Sequence, residues 1–118
     1  MALTEFGKVV RKARLDAGET LLTMGRSLGV STSFMCDLEL GRKNISEKWV
    51  NNIQQYFANR GIDVKNLGEY ADISNQSVSL AGCDPQKKVL IAGFARASMN
   101  AETLSEFARL LQSIKDTK

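Results

Sequence analysis

Apolar residues recur at helical spacing from near the start of the chain. Between Thr4 and about Ala17, Phe6, Val9, Val10 and Ala13 share one stripe, with Arg11, Lys12 and Arg14 set between them. Thr4 suits an N-cap and Gly18 a stop. A second short helix is predicted from about Thr20 to Leu28, with Leu21, Met24, Gly25 and Leu28 inward and Gly29 closing it. Ser31 then caps a third, from about Thr32 to Leu40, which turns Met35 and Leu38 inward beside Phe34 and stops at Gly41. After the polar stretch Arg42-Lys43-Asn44, a fourth helix is predicted from about Ser46 to Asn59, carrying Trp49, Val50, Ile53 and Phe57 on one stripe.

Beyond Gly61 the texture changes. Asp63 is read as the cap of a short helix through Tyr70 with Val64 and Leu67 inward, and Asp72-Ile73-Ser74-Asn75 as a loop. Gln76 to Ala81 alternates polar and apolar residues, which predicts a strand with no partner in the chain unless a second copy supplies one. Asp84-Pro85 is a strong helix start, and the helix carries Val89, Leu90, Ile91 and Phe94 to about Ala97. Asn100 caps a last helix bearing Leu104, Phe107, Ala108, Leu111 and Ile114. The apolar stripes of these two helices are wide for so small a body, and suit either an intrachain core or one shared between subunits. The expected fold class is mainly α, divided into a helical head over residues 1–60 and a helical region with one short strand over 61–118.

Composition narrows the partners. A chain of 118 residues that is 43% hydrophobic and 25% charged is ordinary for a soluble globular protein. No apolar run approaches the roughly 20 residues needed to span a bilayer, and no secretory signal is visible, so cytoplasmic residence without membrane association is expected. Residues 1–60 hold nine Lys/Arg against six Asp/Glu, whereas residues 61–118 hold seven of each. A basic head on a neutral body suits a polyanion partner. The absence of histidine removes the usual zinc sets and His-based triads, and Cys36 and Cys83 read as small half-buried thiols. No metal site, cofactor or catalytic residue is expected.

The stretch from Gly18 to Lys43 carries the functional signal. Two short helices that cross steeply around a tight turn need a very small residue at the crossing and a flexible one at the turn, which Gly25 and Gly29 supply. Val30 packs inward, and Ser31 presents the N-terminal end of the next helix, whose partial positive charge suits phosphate.

In these residues the chain resembles the XRE, or Cro/cI-like and lambda-repressor-like, helix-turn-helix regulators of phages and bacteria, over about residues 4–58. The resemblance rests on Met24-Gly25 where the family usually has Leu-Ala, on Leu28-Gly29-Val30-Ser31, and above all on Leu38-Glu39-x-Gly41-Arg42-Lys43. It implies a lambda-repressor-like helical bundle whose recognition helix, capped by Ser31, reads bases with Thr32, Ser33 and, a turn later, Asp37. It also implies phosphate contacts from Arg42, Lys43, Asn44 and the helix start at Thr20, and a structural role for Glu39. The chain departs from the family at Leu21, where many members have Gln. Phe34 either packs inward or touches a thymine methyl group. With no Arg or Asn on the recognition helix, specificity leans on DNA shape and few contacts. The second half is more loosely similar to plasmid- and phage-borne members through Gly93-Phe94-Ala95-Arg96. That similarity implies a dimerisation region, with Val78, Leu80, Leu90, Phe94, Leu104, Phe107 and Leu111 as its candidate residues.

The resulting expectation is a homodimeric, sequence-specific repressor of double-stranded DNA, autoregulatory and binding a pseudo-palindromic operator. The alternative is an antitoxin whose C-terminal half binds a toxin protein. A self-cleaving Ser/Lys peptidase needs a β-rich domain that the residues after Arg60 cannot build, and neither a P-loop nor a GxGxxG signature occurs. No enzymatic activity is expected.

Overall fold

The structure is a computed structural model that describes residues 2–117. It is mainly helical: among the described residues there are seven helices and no strand. They form two compact units, the first running to Ser79 and the second starting at Leu80.

The first unit contains α1 (Glu5–Asp16), α2 (Leu21–Leu28), α3 (Thr32–Leu40), α4 (Glu47–Ala58) and α5 (Leu67–Asn75). Local chemistry explains most of their ends. The side chains of Thr4, Thr20, Ser31 and Ser46 accept hydrogen bonds from the backbone N–H of Gly7, Thr23, Phe34 and Trp49, each satisfying a donor that an opening helical turn leaves free. At the other ends, Gly29 and Gly41 both take φ of 74°, which glycine adopts without a Cβ penalty.

α1 packs on α3 and α5, α2 on α3, and α4 on α5. Their shared core holds Phe6, Val10, Met24, Met35, Leu38, Ile53, Phe57 and Leu67, with Ile45, Val50, Tyr56, Val64 and Ala71 around them. Burying each large apolar side chain is worth about 1.5–3 kcal/mol, so this cluster dominates the stability of the unit. Two polar side chains lie within the same body, Arg14 and Glu39.

The region from Asp63 to Ala81 differs from its sequence reading. Asp63 caps no helix: α5 begins only at Leu67, after Asn66 in a left-handed conformation (φ 60°), and it absorbs the segment Asp72–Asn75 expected as a loop. Gln76, also left-handed (φ 54°), closes it, and the N–H groups of Gln76 and Ser77 bond back to the carbonyls of Ile73 and Asp72 at 3.1 Å each. Those amides are spent on the helix end, and no second strand lies alongside. The expected strand over Gln76 to Ala81 is therefore absent, and Val78 lies 57% exposed in the connector. The first unit also extends past the boundary expected at residue 60, because α5 packs on α1 and α4.

The second unit contains α6 (Pro85–Arg96) and α7 (Ala101–Asp116). Asp84 caps the first by accepting from Lys87 N–H, with Pro85 opening the helix, and Asn100 caps the second by accepting from Thr103 N–H. Phe94 and Phe107 meet edge to face with ring centroids 5.1 Å apart. Neither helix buries a single residue: Val89 is 71% exposed, and Leu90, Leu104, Leu110, Leu111 and Ile114 are also open.

Candidate nucleic-acid interface

The crossing of α2 and α3 is as close as the glycine at its centre allows. A Cβ on Gly25 would stand 2.7 Å from the Val30 carbonyl oxygen, a separation that real Cβ atoms do not reach. The Val30 N–H donates to the Gly25 carbonyl at 2.8 Å, which draws the chain back across α2 before Ser31 starts α3. Thr20 and Thr23 form a reciprocal capping box that fixes the start of α2.

A second glycine sets the other side of α3. Gly7 on α1 backs directly onto the Glu39 carbonyl, where a Cβ would lie on the oxygen. That oxygen is one of the acceptors that a helix C-terminus leaves unpaired, and it takes hydrogen bonds from both Thr4 N–H and Thr4 Oγ1 at 3.2 Å. Thr4 thereby caps α1 and fastens the end of α3 together. The Arg14 guanidinium donates through Nη2 to both carboxylate oxygens of Glu39 at 3.3 Å, tying α1 to α3 a second time. Burial pushes the Glu39 carboxyl above its ordinary value, while Arg14 opposes the shift. Glu39 is thus a buried structural residue and makes no exposed contact.

The remaining candidates fall into two groups. Thr20, Ser31, Thr32 and Ser33 are exposed at the starts of α2 and α3, and Arg42, Lys43 and Asn44 are exposed after α3. Two others are already engaged. Phe34 is half-buried, its ring 5.0 Å from that of Trp49, so it joins α3 to α4; the Lys43 ammonium stands 5.6 Å from the Phe34 centroid. The Asp37 carboxylate lies 3.6 Å from Arg42 Nη1, with the Arg42 N–H donating to the Asp37 carbonyl at 2.9 Å. Arg42 and Lys43 are exposed, and each lies near a residue of α3.

No family model matches the chain, and no curated protein or solved structure is significantly similar to it.

The basic balance of the head weakens once its limits are redrawn. Through Ser79 the first unit carries ten Lys/Arg and nine Asp/Glu, since Asp63, Glu69 and Asp72 now belong to it. Local placement of cations therefore carries more weight than net charge. Among the described residues no group of three His, Cys, Asp or Glu side chains is placed to hold a metal ion, and no helix is long and apolar enough to cross a membrane. Cys36 and Cys83 are half-buried free thiols.

Several positions that matter to this surface escaped the sequence reading: Gly7, Arg14, Ile45 and Asn75. Gly7 and Arg14 lie on the same helical stripe as Val10, and that periodicity was a usable signal. Ile45 and Asn75 meet across the fold, which no local pattern announces.

Proposed function

We propose that the chain is a sequence-specific regulator of double-stranded DNA, a lambda-repressor-like helix-turn-helix protein acting as a homodimeric repressor. The observation that carries this reading is the α2–α3 crossing. Gly25 admits no Cβ, the turn is three residues long, the α3 start carries exposed Thr32 and Ser33, and exposed Arg42 and Lys43 follow the other end of α3. A helix with polar side chains at its start and cations after its end fits a major groove: its first side chains reach base edges, and the following charges meet phosphates. The engagement of Asp37 with Arg42 and of Phe34 with Trp49 leaves Thr32 and Ser33 as the leading base-reading candidates. So short a set supports specificity drawn partly from DNA shape.

Dimerisation through α6 and α7 completes the reading. The second unit has about forty residues, and neither of its helices buries a side chain; a body that small usually draws stability from a partner. A second copy would supply that partner, and a toxin protein is the competing occupant. Two recognition helices about 34 Å apart would then enter successive major grooves of a pseudo-palindromic operator and block transcription there.

The deciding experiment is selection of duplexes from a random pool by the purified chain, followed by titration of the enriched sequence against salt. A two-fold-related consensus bound about a thousandfold or more above random duplex is expected. Absence of any duplex preference at low ionic strength sinks the reading.

A further inference from the structure

The end of α5 reaches the stretch that follows α3. Asn75, the last residue of α5, makes two hydrogen bonds with the backbone of one residue: its Nδ2 donates to the Ile45 carbonyl and its Oδ1 accepts from the Ile45 N–H, both at 2.8 Å. The side-chain amide imitates one rung of a β ladder and fixes the backbone of Ile45, whose own side chain is buried. On the upstream side the Gly41 and Arg42 N–H groups donate to the Leu38 and Asp37 carbonyls at 3.4 and 2.9 Å, closing the end of α3. Arg42, Lys43 and Asn44 therefore span two fixed points.

We propose that Asn75 is a positioning residue for this cationic loop, holding Arg42 and Lys43 where a phosphate backbone is met. The proposal rests on the DNA-binding reading above. A loop already ordered in the free protein loses little freedom on binding, and that difference appears as affinity. The amide chemistry is specific. An ionised aspartate at position 75 still accepts from the Ile45 N–H but sets a second negative oxygen against the Ile45 carbonyl. A protonated aspartate restores the donor.

The test compares the full-length wild type with Asn75→Ala and Asn75→Asp. Asn75→Ala is expected to weaken binding to all duplexes alike by about tenfold, the worth of two ordinary hydrogen bonds. It is also expected to lower the salt slope by about one to two units as Arg42 and Lys43 lose their places. Hydrogen exchange at the Ile45 amide should quicken by about tenfold, with the Val10 amide in α1 unchanged. Asn75→Asp should regain affinity as pH falls from about 6 to about 4, the range in which an aspartate carboxyl takes up a proton, beyond any change in the wild type. That profile is read within one folded protein, so a general loss of stability does not imitate it. Unaltered Ile45 exchange in Asn75→Ala overturns the proposal without reference to DNA. An unaltered salt slope, or a flat Asn75→Asp profile, overturns it while wild-type binding stands. If the wild type binds no duplex, the functional reading falls and this proposal with it.

Discussion

Glu39 keeps its carboxylate almost out of reach of water, and Arg14 is the group that makes this tolerable. Removing one member of a buried pair leaves the other uncompensated, so Arg14→Met is expected to lose about 3–5 kcal/mol at neutral pH in urea denaturation. The sign of its pH dependence follows from the raised Glu39 carboxyl: the folded state keeps this proton to higher pH than the unfolded state. Stability therefore falls as pH climbs from the ordinary value of 4.5 through the raised one, and the Arg14→Met deficit should shrink in acid. A deficit equal at every pH would show that Glu39 is not the residue left exposed to the loss. Tyr56 supplies a second titration. Its hydroxyl donates to Glu19 at 2.9 Å, and burial, with that bond, pushes its pKa up to about 12 from 10.0. Glu19 is held below its ordinary value by the Thr23 hydroxyl and then by Tyr56. The folded protein thus retains a phenolic proton that the unfolded chain gives up near pH 10.0, so stability should decline between pH 10.0 and about 12. Tyr56→Phe should flatten that alkaline decline, which chemical denaturation at a series of alkaline pH values checks.

At the scale of elements, three glycines grade the tightness of the α1–α2–α3 arrangement. Gly29 has open space where its Cβ would go and is constrained only by its left-handed backbone, so Gly29→Ala should lose about 1–2 kcal/mol. At Gly25 a Cβ meets the backbone of Val30, and Gly25→Ala should lose up to about 3 kcal/mol as the crossing is forced apart. Gly7→Ala presses on the Glu39 carbonyl and should be the most damaging of the three. Thermal melts that reversed this order would mean that the α1–α3 contact yields more easily than the α2–α3 crossing. Gly25 and Gly29 were legible in the sequence because a crossing and a turn make local demands, and so were the caps Thr4, Ser31, Asp84 and Asn100. The failures are as physical. Alternation over Gln76 to Ala81 is a strand signal only when a neighbour can accept the ladder, and the left-handed Gln76 turns the first amides back to α5 instead. Arg14 reads as a solvated charge until its partner 25 residues away is known. The Asn75–Ile45 bonds span 30 residues, so the loop carrying Arg42 and Lys43 was visible but its anchor was not.

For the whole molecule, the two units differ in how much of their apolar surface they cover. The first has a filled core, whereas α6 and α7 display Val89, Leu90, Phe94, Leu104, Phe107, Leu111 and Ile114 to solvent. On α7 these residues fall at Leu104, Phe107, Leu111 and Ile114, a spacing of three and four that builds one continuous stripe, and Leu110 widens it beyond what a single neighbouring helix covers. The stripe therefore calls for more than α6 alone, and pairing of two α6–α7 units would supply the missing neighbours. Sedimentation equilibrium should find a dimer for the wild type, and Leu104→Asp with Leu111→Asp should yield a monomer whose first unit still melts cooperatively. Val78→Asp should leave the dimer intact, since the connector it occupies forms no strand. The monomeric variant should bind a single half-site much as the wild type does, but lose the added affinity of holding two at once, a factor of about a hundred or more. A wild type that sediments as a monomer, and dimerises no further on any selected duplex, would hand the apolar stripe to a different protein and leave the antitoxin reading in possession of it.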